Sequence, residues 1–121
     1  MRLAIGLLAT LVTFSASAAL AAPENRCGWV VNPTPGNYWL TDRDATWIML
    51  TQGSDVEPKG MELLGDISAH DYVATNGYYG YACGCMKVDT DTAESRITAI
   101  YSYKQLKIAK CQNDKALPKP E

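Results

Sequence analysis

Tyr78-Tyr79-Gly80-Tyr81-Ala82-Cys83-Gly84-Cys85-Met86-Lys87-Val88 is the stretch on which the fold turns. Aromatic residues and a hydrophobic run with no proline predict a long central strand. Alternate residues of a strand share a face. Cys83, Cys85 and Lys87 therefore fall on one side, and Ala82, Gly84, Met86 and Val88 on the other. Tyr79 and Tyr81 share the cysteine face and read as core. Tyr78 points the other way and is a candidate contact for a sugar or a partner. The strand is entered through Thr75-Asn76-Gly77, where Asn-Gly predicts a type I′ hairpin turn after a short strand at Asp71–Ala74.

The remaining cysteines are Cys27 and Cys111. An even count in a short chain reads as a disulfide framework. Bonding Cys83 to Cys85 would close a tiny ring across Gly84, which disulfide geometry disfavours. Both other pairings tie Cys27 and Cys111 to the one strand, and spacing alone leaves open which joins which. A redox role for Cys-Gly-Cys needs a stabilised thiolate, and only Lys87 offers nearby positive charge. Zinc ligand pairs sit at Cys-x(2–4)-Cys, a spacing absent here. No metal or cofactor is expected.

Outward from this strand the chain is a series of short β segments. Asn32–Asn37, with Pro33, Pro35 and Gly36, is a rigid turn. Tyr38–Leu40 is a short strand, Thr41–Asp44 a polar turn and Ala45–Gln52 a strand. Residues 53–60 form a loop, and Met61–Ile67 is either extended or one helical turn. Asp89–Ala93 is a hydrophilic turn. Arg96–Tyr103 alternates, with Ile97, Ala99, Tyr101 and Tyr103 on one face. Lys104–Lys110 reads as a further short strand, residues 22–26 as a free leader, and residues 116–121 as a proline-bounded tail. The expected fold is mainly β: a small antiparallel sheet or barrel-like single domain, stapled by two disulfides, with room for one short helical turn.

The first 21 residues read differently. Arg2, an apolar run from Leu3 to Phe14 and Ala19-Leu20-Ala21 have the pattern of a secretory signal peptide cut after Ala21. Residues 22–121 are then a single disulfide-bonded domain, periplasmic or secreted, with no membrane anchor. That segment holds 16 Leu, Ile and Val against ten Trp and Tyr, so its core is thin and aromatic. It carries ten bases and thirteen acids, a net charge of −3. Residues 42–94 hold ten acids and three bases, whereas residues 96–121 hold six bases and two acids. Either the two segments face each other, or an acidic face is offered to a basic partner. An acidic exported domain is not expected to bind nucleic acid.

Chemistry-bearing residues are sparse. His70 is the only histidine and has no nucleophile motif around it. Asp42 and Asp44 flank Arg43, and Asp89 and Asp91 flank Thr90. Paired carboxylates suit glycoside hydrolysis or calcium, but neither pair brings the further ligands of a calcium loop. A charged turn with internal Asp–Arg pairing is the plain reading. Arg43 also lies between Trp39 and Trp47, a combination enriched where proteins bind each other. The candidate contact residues are thus Trp39, Asp42, Arg43, Asp44, Trp47 and Tyr78.

Arg26-Cys27-Gly28-Trp29, Asn32-Pro33-Thr34-Pro35, Trp39-Leu40-Thr41-Asp42-Arg43-Asp44, Trp47, Gln52-Gly53, Gly80-Tyr81-x-Cys83-x-Cys85 and Cys111 resemble a family of small exported bacterial proteins catalogued as a domain of unknown function. The resemblance spans nearly all of residues 22–121. It implies a periplasmic, disulfide-bonded domain and brings no activity. In size, export, β content and disulfides the chain is also similar to periplasmic lysozyme inhibitors, without their diagnostic motifs. The expected function is non-enzymatic binding, most concretely as an inhibitor or immunity protein for a basic cell-wall hydrolase. The alternative is a small-ligand or glycan-binding domain.

Overall fold

The computed structural model describes residues 10–13 and 22–120. Most of the expected signal peptide lies outside the described residues. Six strands follow in chain order: β1 (Glu24–Asn32), β2 (Tyr38–Thr41), β3 (Thr46–Leu50), β4 (Val73–Asn76), β5 (Tyr79–Asp91) and β6 (Arg96–Leu106). Short 3₁₀ turns at Met61–Leu64 and Ile67–Ala69 lie between β3 and β4, and helix α1 (Ile108–Gln112) follows β6.

The sheet runs β1-β2-β3-β6-β5-β4, and β1 also pairs with β5. That extra pairing closes β1, β2, β3, β6 and β5 into a five-stranded barrel. β5 is the central strand expected, with β1 on one side from Gly80 to Val88 and β6 on the other from Cys83 to Asp91. All pairings are antiparallel except one. β3 meets β6 in parallel, at Ile48 and Arg96, and Lys59 extends this seam by a parallel bridge to Ala99. The antiparallel expectation is corrected at this seam: a barrel closed in this order brings the third and last strands together running the same way. Strand order and senses are those of the OB-type Greek-key barrel.

The barrel interior is apolar. Val30, Leu40, Trp47, Met49, Ala82, Met86, Val88, Ile97 and Ile100 fill it, and Met61, Leu64 and Ile67 of the 3₁₀ turns join the same cluster. The other face of β1 and β5 carries a second cluster of Trp29, Val31, Cys83, Ile108 and Cys111, with Trp39 and Leu117 packed against it. The alternation read along Ala82–Val88 thus separates two cores. Gly28 makes the close approach of β1 to the Thr41–Asp42 backbone at the end of β2 possible. A Cβ there would sit 2.9 Å from Asp42 Cα and closer still to the Thr41 carbonyl oxygen.

The disulfides are Cys27–Cys85 and Cys83–Cys111. Cys27 and Cys85 are direct cross-strand partners, with Cα atoms 4.0 Å apart. Cys83–Cys111 fastens α1 onto β5. Spacing could not choose between the two pairings because the choice depends on which residue of β5 faces Cys27.

Other local expectations are corrected. Residues 22–26 are not a free leader throughout, since Glu24, Asn25 and Arg26 already pair with Val88, Lys87 and Met86. Lys104–Lys110 is not a separate strand. Residues 104–106 continue β6, and the chain then turns into α1, where Ile108 and Cys111 lie three apart and are both buried. The Asp71 carboxylate accepts from the Ile108 N–H at 2.8 Å, a cap supplied from a distant loop. The β4–β5 turn has two loop residues, Gly77 and Tyr78, and the positive φ falls on Gly77 while Asn76 has none. It follows the type II′ pattern, with glycine first, rather than type I′.

Candidate functional site

Five of the six candidate residues, all but Tyr78, converge at the β2–β3 hairpin. Leu40 and Trp47 pair across it and point into the barrel, whereas Thr41 and Thr46 pair beside them with hydroxyls 3.2 Å apart. Asp42 opens the turn and is only 4 % exposed. Its Oδ1 accepts from the N–H groups of Asp44 and Ala45, at 2.8 and 2.9 Å. Its Oδ2 accepts from Arg26 Nη1 at 2.7 Å and from Trp47 Nε1 at 3.1 Å. Four donors converge on one buried carboxylate. Burial by itself would raise this carboxyl, but the Arg26 guanidinium, the two backbone N–H groups and the indole hold it below the usual aspartate range.

Arg26 comes from β1. Its guanidinium lies 4.2 Å from the Trp47 ring centroid and pairs with Glu24, Asp42 and Asp44. Burial opposes its charge, and the carboxylates more than offset this, so its pKa is raised. Glu24 in turn accepts from the Thr90 hydroxyl at 2.8 Å, which ties the cluster to β5.

The turn therefore has an inside and an outside. Asp42 and Trp47 belong to the inside. Arg43 and Asp44 are exposed at its tip, and Trp39 is half-buried on the hairpin's outer face. The expected pairing within the turn is corrected: the partner of Asp42 and Asp44 is Arg26, not Arg43. Trp47 points inward, to where Arg26 arrives from β1 and stacks on it. Tyr78, 92 % exposed, stands elsewhere. Asn32 pairs with Gly80 and Arg26 with Met86, so Tyr78 and the Arg26 cluster lie at opposite ends of the β1–β5 ladder.

Arg26 and Glu24 were missed because residues 22–26 read as a leader. Reading that segment as a strand would have placed Glu24, Arg26 and Gly28 on one face. The C-terminal tail was missed too. Trp29 Nε1 donates to the Pro118 carbonyl at 2.9 Å, and Ala116, Leu117 and Pro118 line a groove with Thr41–Thr46.

Among the described residues the acidic and basic segments do not join through ion pairs. Among the described residues, the ion pairs are those of Arg26. Asp55, Glu57, Glu62, Asp66 and Asp71 stand exposed on the connection between β3 and β4. His70 is exposed beside Asp71, Gln105, Leu106 and Lys107 around a shallow groove. Among the described residues no group of three His, Cys, Asp or Glu side chains is placed to hold a metal. No helix of the described residues is long and apolar enough to cross a membrane.

A family model described as a protein of unknown function (DUF4087) matches residues 21–118. No curated protein and no solved structure matches the chain.

Proposed function

This chain belongs to the DUF4087 family of proteins of unknown function, and from that premise we propose that it is a non-enzymatic binding domain of the periplasm or extracellular space. Its partner is a protein, most concretely a basic cell-wall-degrading enzyme that it holds inactive as an inhibitor or immunity protein would. Two disulfides suit a chain that matures in an oxidising compartment.

The supporting observation is the stiffness of the β2–β3 turn. Both carboxylate oxygens of Asp42 are held by donors of the turn, Arg26 and Trp47, so Arg43 and Asp44 project from a turn that needs no ordering on contact. Preorganised contact residues bind at lower entropic cost. Trp39 is half-exposed on the same hairpin, and the exposed acids of the β3–β4 connection favour encounter with a basic surface.

The test is inhibition of purified lysozymes and wall amidases by the intact chain, alongside capture from periplasm. Saturable inhibition at micromolar concentration is expected, with at least about a tenfold loss in an Arg43→Glu, Asp44→Lys double variant of unchanged melting temperature. Absence of both inhibition and hydrolase capture overturns the reading.

A further inference from the structure

The outer face of the β2–β3 hairpin carries two registered cross-strand pairs, Trp39 with Ile48 and Thr41 with Thr46. The tail runs beside them. Trp39, Thr41, Thr46, Pro118 and Lys119 line a groove of about 370 Å³. That volume is at the lower end of the range for small-ligand sites, roughly 300–1,000 Å³.

The three indoles are used differently. Trp29 donates to the Pro118 carbonyl and Trp47 to Asp42. Among the described residues Trp39 Nε1 has no hydrogen-bond partner, and its ring is half-buried against the Leu117 cluster while lining the groove. The groove thus offers an aromatic surface, an indole N–H donor, two hydroxyls 3.2 Å apart and one ammonium with no carboxylate at ion-pairing distance among the described residues.

We propose that this groove is a carbohydrate subsite holding one or two pyranose rings on Trp39. The apolar C–H face of a pyranose stacks on an indole. Its hydroxyls both donate and accept, which matches a threonine pair better than a carboxylate or a purely apolar wall. Lys119 additionally suits a sugar bearing a carboxylate. A stacked nucleotide strand would need a basic track for its phosphates. Among the described residues Lys119 is the only cation lining the groove, and the one further cation at its turn end, Arg43, stands between Asp42 and Asp44. The subsite shares Trp39 with the protein-partner reading, but its other groups are the threonines and Lys119 rather than Arg43 and Asp44, so variants at those positions separate the two.

The experiment follows the three indole N–H resonances of the intact, oxidised chain during titration with N-acetylglucosamine oligomers, a neutral glucan and an oligothymidine control. Saccharide should move the Trp39 resonance saturably in the millimolar range or below, and leave Trp29 and Trp47 in place. Variants are compared by calorimetric titration, since replacing Trp39 removes its indole resonance: Trp39→Ala and Thr41→Val should each weaken binding, the former by at least about tenfold, and Trp39→Phe should retain part of it. Arg43→Glu with Asp44→Lys should leave saccharide binding unchanged, which separates this site from the hydrolase contact. No saturable shift with any saccharide, a calorimetric affinity unchanged by Trp39→Ala, or a response to oligothymidine alone overturns the proposal.

Discussion

The guanidinium of Arg26 stacks on Trp47, 4.2 Å from its ring centroid, and the two side chains donate to the same oxygen of Asp42. Arg26 enters from β1 and Trp47 from β3, so one carboxylate joins two strands of the barrel to the turn between β2 and β3. The Arg26 and Asp42 side chains retain 14 % and 3 % of their exposure. The pair is therefore screened far less than a surface ion pair.

Asp42→Asn keeps the shape of the turn and removes its charge. It also places an amide N–H₂ or a neutral oxygen among four donors. We expect a loss of about 2–4 kcal/mol in denaturant unfolding, larger than for Asp44→Asn at the exposed tip. Equal small effects from both would show that the cluster contributes little.

Stability should fall at both pH extremes for separate reasons. The folded pKa of Asp42 is depressed, because its donors outweigh its burial. Its contribution is present above the unfolded value of about 4 and is lost as pH falls through the folded value. Burial raises the Tyr103 phenol, with Tyr38 adding to the effect. That contribution is intact below the unfolded value of about 10 and is lost as pH rises above it. Melting temperature against pH should show both limbs. Asp42→Asn should flatten the acid limb and Tyr103→Phe the alkaline one.

The two disulfides should differ in what they hold. Cys27–Cys85 lies across a ladder already bonded from Glu24 to Asn32, whereas Cys83–Cys111 holds a five-residue helix over the second core. Replacing Cys83 and Cys111 together by Ala should cost about 2–4 kcal/mol. It should also speed amide exchange in α1 well before exchange in the barrel. Uniform acceleration across barrel and helix would contradict this division. Denatured, unreduced protein should show no free thiol among Cys27, Cys83, Cys85 and Cys111.

Gly28→Ala should destabilise by about 1–3 kcal/mol or more, because the new methyl meets the Thr41–Asp42 backbone rather than a movable side chain. Tyr78→Ser, at an exposed loop position, should change stability by no more than about 0.5 kcal/mol. A large cost at Tyr78 with none at Gly28 would contradict the close approach of β1 to the Thr41–Asp42 backbone.

Much of the candidate site was legible, but its partners were not. Trp39, Asp42, Arg43 and Asp44 do gather at one hairpin, because they are neighbours along the chain and the turn between two short strands keeps them together. Tyr78 was grouped with them by residue type alone, and the fold sends it to the other end of the ladder. The role assigned to Arg43 belongs to Arg26, sixteen positions before Asp42. No local pattern distinguishes which of two arginines a buried carboxylate will meet. The second core was half visible: the alternation at Cys83 and Cys85 marked a face, but nothing in Lys107–Gln112 announced that a single helical turn would cover it.

By itself the sequence determined the β class, the central strand and its two faces, the presence of a hairpin before it though not its turn type, and the convergence of two cross-links on that strand. These rest on the period of two along an extended chain and on turn chemistry, which act over a few residues. Only the tertiary structure decided the parallel seam between β3 and β6, the pairing Cys27–Cys85 and Cys83–Cys111, and the identity of the arginine at Asp42. Each depends on which segments, tens of residues apart, become neighbours. Barrel closure sets that adjacency through packing of the whole interior, so no short stretch of the chain carries it.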